Sequence, residues 1–102
     1  MPRIPALSAG NVVLEGYIDV PSDRIEAVTS ALSRHIELTR AEVGCIYFDV
    51  AADPAIAGRF NVYEIFTGRD AFDFHQRRAG ASPWAEISVG IDRHYAINEV
   101  AA

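Results

Sequence analysis

His75 and Glu64 are the residues whose types and placement could move a proton. His75 stands in the run Ala71-Phe72-Asp73-Phe74-His75-Gln76-Arg77-Arg78. On a helix, Ala71, Phe72 and Ala79 share its face, so the imidazole points to an apolar side. An imidazole titrates near neutrality and burial depresses its pKa, which suits a proton shuttle at pH 7. A core histidine bonded to a backbone carbonyl would leave the same trace. Glu64 alternates with Phe60, Val62 and Phe66 in the most apolar stretch of the chain. A carboxylate on a buried strand face is costly unless paired, either with a histidine as an acid–base couple or with an arginine as a salt bridge. Trp84, after Ser82-Pro83, offers a flat wall for a planar aromatic molecule, or a large filler for the core. Arg77 and Arg78 suit the last turns of a helix, where the dipole favours cations. His35 borders an apolar stripe and reads as packing, His94 reads as exposed, and the three isolated histidines give no basis for a metal site.

The rest of the composition narrows the chemistry. The chain has 102 residues and a net charge of −5, which fits one domain and argues against a nucleic-acid partner. No run approaches the roughly 18 apolar residues of a membrane helix. The start has no signal-peptide pattern, so a cytoplasmic protein is expected. Cys45 is the only cysteine, which removes internal disulfides and paired-cysteine redox motifs, and it reads as a small buried strand residue. All nine cations are arginine, so Schiff-base lysines, covalently held pyridoxal phosphate and P-loop lysines are excluded. The dinucleotide glycine fingerprint, the nucleophile elbow and the zincin motif are missing too. No cofactor and no metal are expected.

The elements that must position these residues follow from periodicity. Residues 1–11 read as an N-terminal tail and 12–102 as a single domain. Residues 12–20 alternate as a strand, with Val12, Leu14, Gly16, Ile18 and Val20 on one face. Asp23 and Glu26 have capping-box spacing, and Ile25, Val28, Leu32, Ile36, Thr39 and Val43 form one stripe on a long helix that Gly44 ends. Residues 45–50 are a second strand with Ile46, Phe48 and Val50 on one face. A loop containing Asp53-Pro54 leads to a third strand at 59–66. A second helix runs from about Thr67 to Gly80, a short turn follows Ser82-Pro83, and residues 94–100 are the last strand. This order predicts a ferredoxin-like βαββαβ sandwich, α+β in class, with a four-stranded antiparallel sheet and both helices on one face. Val13, Tyr17, Tyr47, Tyr63 and Ile65 fall on the other face, a large patch for a small protein, and predict a homodimer packed sheet against sheet.

Phe48-Asp49-Val50, Asp53-Pro54, Arg59-Phe60, Tyr63-Glu64, Ala71-Phe72 and Phe74-His75, in this order, resemble the antibiotic biosynthesis monooxygenase domain over nearly the whole chain. The resemblance implies a dimeric α/β barrel with a pocket between sheet and helices in each subunit. Its best-known members oxygenate aromatic phenols or quinols with O₂ and use no flavin, haem or metal. A haem-degrading branch places a tryptophan where this chain has His75, so haem is not the expected ligand although Asn11 lies near the first strand. Another branch isomerises a small phosphorylated sugar-derived signal, and it would show a polar pocket reached by an arginine. The expected function is a cofactor-independent monooxygenase acting on a quinol-like or phenolic small molecule. His75 and Glu64 are the expected catalytic residues, and Phe48, Phe66, Phe72 and Trp84 the pocket walls. A non-catalytic ligand-binding module would instead bury His75 against Glu64 with no cavity between them.

Overall fold

Alternation along the strand segments dictates a sheet with one buried face, and the computed structural model, which describes residues 4–102, builds it. Strands β1 (Val12–Asp19), β2 (Cys45–Ala52), β3 (Arg59–Phe66) and β4 (Asp92–Glu99) alternate with helices α1 (Ile25–Arg40), α2 (Arg69–Gly80) and the short α3 (Pro83–Ile87). The sheet order is β2-β3-β1-β4, with each neighbouring pair antiparallel. This is the ferredoxin-like α+β arrangement that the element order predicts.

The core lies between the helices and one sheet face, in two clusters. Val12, Leu14, Phe48, Val62 and Phe66 of the sheet meet Phe72 of α2. Ile18, Val20 and Phe60 meet Val28 and Leu32 of α1, closed by Ile91. Burying a side chain such as the fully enclosed Phe66 stabilises the fold by about 2 kcal/mol.

Four local expectations are corrected. A single 3-10 turn at Ser22–Arg24 precedes α1, and no side chain caps the helix, so Asp23 and Glu26 form no capping box. The helix ends at Arg40, before the stripe reaches Val43, which is fully exposed. Gly44 does not have a left-handed backbone. Its role is close approach: a Cβ there would overlap the Cβ of Ala71 on α2. Finally, Cys45 pairs with Phe66 and Tyr47 with Ile65, so Ile46 is an extra, bulged residue and stays exposed instead of joining the core face.

Gly16 is the second glycine with a steric duty. It has φ +154° on the central strand β1, and a Cβ would collide with the backbone carbonyl of His94 on β4. For Gly44→Ala the clash is transmitted to α2, one turn before His75. That variant is expected to lose about 2 kcal/mol in chemical denaturation, because overpacking at a helix contact cannot relax cheaply.

Of the expected N-terminal tail, residues 1–3 lie outside the described part, and residues 4–11 form no regular element. The tail joins the other end of the chain: the Gly10 N–H donates to Val100 O at 2.9 Å, and the Val100 N–H to Asn11 O at 2.8 Å. On the outer sheet face, Val13 and Ile65 are buried within one chain, whereas Tyr17, Tyr47 and Tyr63 are half-buried. Tyr47 and Tyr63 meet edge to face at 5.9 Å, and Tyr17 stacks between His94 and the Arg59 guanidinium. Among the described residues, no helix is long and apolar enough to cross a membrane.

Candidate functional site

Strand alternation delivers Glu64 to the helix-covered face. The register places Leu14 of β1 and Phe48 of β2 on either side of it. Its Oε1 is buried without a hydrogen-bond partner, and no arginine pairs with it among the described residues. Burial, and then repulsion from the Glu42 carboxylate, pushes the Glu64 pKa up to about 8. At neutral pH this group is therefore mostly a neutral acid that can donate a hydrogen bond.

His75 comes from α2 and is 3% exposed, packed against the rings of Phe66 and Phe48 with centroids 5.0 Å and 5.6 Å away. Its Nδ1 lies 3.1 Å from Glu42 Oε2. A carboxylate only accepts, so Nδ1 carries the proton and Nε2 keeps a free lone pair. Nε2 is 4.0 Å from Glu64 Oε1. Burial lowers the His75 pKa in spite of the opposing pull of Glu42, which leaves the ring neutral at pH 7. Glu42 Oε2 also accepts from Arg78 Nε at 2.5 Å, and Arg78 Nη2 donates to Thr39 Oγ1 at 2.9 Å. Arg78, Glu42 and His75 thus form one buried chain ending at a basic nitrogen.

Beside this chain lies a cavity of 330 Å³. Leu14 and Glu64 form its floor, His75 its inner side, and Arg93 and Tyr95 its β4 edge. His35 and Trp84 form a flat wall, stacked 4.9 Å apart and 11° from parallel. Burial holds the His35 pKa at about 4, so that ring is also neutral. The 4.0 Å between Nε2 and Oε1 exceeds hydrogen-bond reach, and Oε1 itself is closed to solvent. A larger groove of 500 Å³, between the end of α1 and α2, is lined mostly by Leu38, Val43, Ala71 and Phe74 and lies behind Glu42, away from Nε2.

The structure brings His75, Glu64 and Trp84 to one cavity. It does not bring Phe48, Phe66 and Phe72 there: these three fill the core cluster, and Phe48 and Phe66 buttress the imidazole from behind. His35, expected only to pack, joins the wall, while Arg77 stays exposed and Arg78 turns inward. Sequence reasoning missed Glu42, Arg93 and Tyr95. Asn11 is occupied structurally, accepting from the Ser8 N–H and donating to Thr67 O. Cys45 is an inert thiol, its pKa pushed up to about 11 by burial and by the nearby Glu42 and Glu64 carboxyls. Among the described residues no three His, Cys, Asp or Glu side chains gather as metal ligands.

The family model described as antibiotic biosynthesis monooxygenase matches residues 11–86. A comparison with curated proteins finds no match. Among solved structures, a conserved protein of Bacteroides thetaiotaomicron superposes with a TM-score of 0.78 at 16% identity, over 90% of this chain and 99% of the other. A Nitrosomonas europaea protein grouped with the antibiotic biosynthesis monooxygenases gives 0.77 at 20% identity, over 96% and 95% of the two chains. SnoaB, a cofactor-independent oxygenase from Streptomyces nogalater, gives 0.74 at 15% identity, over 90% and 94%. At these identities the structural likeness is one of fold, and the family follows from the sequence match. The chain belongs to the antibiotic biosynthesis monooxygenase family.

Proposed function

We propose that this protein is a cofactor-independent monooxygenase that oxygenates a small phenolic or quinol-like molecule with O₂, using His75 as general base and Glu64 as a neutral acid. One observation carries this reading. The His75 imidazole and the Glu64 carboxyl face each other 4.0 Å apart at the edge of an open cavity, beside a stacked aromatic wall. A phenol lying on Trp84 would place its hydroxyl between Nε2 and Glu64. His75 takes the hydroxyl proton, and the resulting phenolate is electron-rich enough to pass one electron to O₂. Recombination at a hydrogen-bearing ring carbon ortho or para to the oxygen forms a C–O bond, and the imidazolium returns its proton to give a hydroperoxide. Loss of the proton from that carbon, with cleavage of the O–O bond, releases water and leaves a quinone. One oxygen atom enters the product and the other leaves as water, with both electron pairs supplied by the substrate. The Glu64 O–H stabilises the anionic oxygen while negative charge is spread over the ring.

The test is oxygen consumption by metal-free protein over a panel of phenols and quinols. Uptake with matching quinone formation is expected, and absence of uptake across the panel overturns the reading. Glu42→Gln is expected to lower the rate about tenfold or more while the fold is kept, because an amide no longer fixes the imidazole tautomer. In that variant the acidic limb of the rate profile moves to lower pH, since the carboxylate that raises the His75 pKa is gone.

Arg93 favours a second reading, an isomerase for a small phosphorylated carbonyl compound, which needs an arginine at the cavity. The two share the base and differ in their use of the aromatic wall. A non-catalytic module with a filled interior does not match a cavity of 330 Å³. We further propose a homodimer joined through the outer sheet face, where Tyr17, Tyr47 and Tyr63 are only half-covered. Light scattering should show twice the chain mass, and Tyr63→Glu should return the monomer.

A further inference from the structure

We infer that the molecule held in the cavity is a hydroxylated aromatic acid of one or two fused rings, and that Arg93 is the residue that receives its acid group. This deepens the oxygenase reading and rests on it for the position of the hydroxyl.

Arg93 projects from β4 to the cavity and is fixed before any ligand arrives. Its Nη2 donates to Ser88 Oγ at 2.8 Å and reaches Ser88 O at 3.4 Å, and Ser88 itself is 1% exposed. A guanidinium has five N–H donors in a planar fork; Ser88 takes one and the Tyr95 hydroxyl faces another, which leaves the rest for a carboxylate. Among the described residues no acidic side chain pairs with Arg93, whereas Arg34, Arg40, Arg59, Arg69 and Arg78 each face one. The neighbouring Tyr95 hydroxyl adds a donor, and burial pushes its pKa up, so it stays a phenol.

The charge balance of the cavity points the same way. His75 and His35 are neutral, Glu64 is mostly protonated, and Glu42 is matched by Arg78. Arg93 is then the uncompensated charge of the site, inside a protein whose overall charge is −5. A cleft with one fixed, solvent-reachable cation at its edge favours a ligand with one negative charge. Size sets the rest. At 330 Å³ the cavity is at the small end of the range for ligand pockets, about 300–1,000 Å³, which suits one or two rings and not a four-ring skeleton. Glu64 lies opposite Leu14 and Arg93 opposite Ile18, so their backbones stand two strands apart and four residues out of register, roughly 16 Å from one another. The long Arg93 side chain reaches in from the cavity edge and covers part of that distance, and a bicyclic ring with its hydroxyl and acid groups at opposite ends suits the remainder better than a single ring.

The test uses Trp84, the only tryptophan, as its reporter. Quenching of its fluorescence is titrated with 6-hydroxy-2-naphthoate, with the methyl ester of the same compound, and with dihydroxyacetone phosphate. Wild-type protein is expected to bind the acid at least about tenfold more tightly than the ester, the value of a charge-assisted bond at a partly solvated site. Arg93→Gln should bind acid and ester equally, whereas Arg69→Gln, which alters a cation outside the cavity, should keep the preference. Equal affinities in the wild type overturn the inference, as does failure of either naphthalene to bind or a preference that survives in Arg93→Gln. Dihydroxyacetone phosphate displacing the acid at lower concentration than the ester does would reassign the subsite to a phosphorylated, non-aromatic ligand. No turnover is measured, so a failure of the oxygenase reading shows separately, as absent oxygen uptake with the acid preference intact.

Discussion

His75→Ala is expected to abolish most oxygen uptake, with a loss of roughly a hundred- to ten-thousand-fold in turnover, the usual contribution of a positioned general base. Nε2 of this residue is the basic atom turned toward Glu64, with its partner nitrogen engaged by Glu42. Alanine also opens a void behind Phe66 and Phe48, so His75→Gln, closer in volume, is the companion variant. It should fold like the wild type by circular dichroism and show the same loss. The wild-type profile of kcat/KM adds an independent signature. The base must be neutral, so the acidic limb falls below the ordinary histidine value, in the direction that burial moves His75. Glu64 must be protonated, so the rate declines again as pH rises through about 8. The result is a bell with its plateau between these limits, and Glu64→Gln should retain the acidic limb while losing the alkaline one. Full turnover in both His75 variants would sink the proposed role of this residue.

The strand alternation and the inward faces of β3 and α2 were legible in the sequence, because burial there follows the simple periods of strand and helix. Those two elements carry Glu64 and His75, so the central pair was legible as well. What periodicity concealed was the end of α1. Continuing the helical stripe to Val43 points Val43 into the core and Glu42 away from it. The helix ends at Arg40, and the turn reverses both: Val43 is fully exposed and the Glu42 side chain is 5% exposed. A frame lost within the last turn thus hid the group that orients the base. Arg78 was hidden with it, since a cation in a final helical turn reads as a dipole partner until the buried carboxylate is known. Ile46 was misplaced for a related reason, because a bulge inserts one residue without any glycine to announce it. Arg93 and Tyr95 lie on an edge strand exposed along its whole length, so apolar alternation carries no signal of a cavity there.

Glu64→Gln is also expected to be more stable than the wild type in alkali, by on the order of 4 kcal/mol at pH 8.5. In the unfolded chain this carboxyl ionises around its ordinary value of 4.5, whereas in the folded protein it holds its proton up to about 8. Between those values the native state binds the extra proton, so stability falls as pH rises through the interval, and above it the full penalty remains. His35 acts in the opposite sense. Its folded pKa is about 4 against an ordinary 6.5, so the unfolded chain gains a proton first as pH falls, and stability drops on the acidic side; His75 adds to this in the same direction. From 6.5 to 8 only the Glu64 slope operates among these three groups, and from 6.5 down to 4.5 His35 offsets it, with His75 acting in the same direction as His35. Their combined effect is a wild-type stability that declines from pH 6.5 to 8 and does not decline on the stretch below 6.5, measurable as denaturation midpoints between pH 4.5 and 9. Glutamine has the shape of the protonated acid and no charge to bury, so the variant should match the wild type below about pH 4.5, gain stability up to 6.5 as its histidines lose their protons, and stay level from there through pH 8.5 where the wild type declines. The same protonated carboxyl is required for the proposed catalysis, so the pH at which the stability decline levels off should coincide with the midpoint of the alkaline loss of activity, both at about 8. Parallel decline of variant and wild type above pH 7 would show that Glu64 is not the group being titrated.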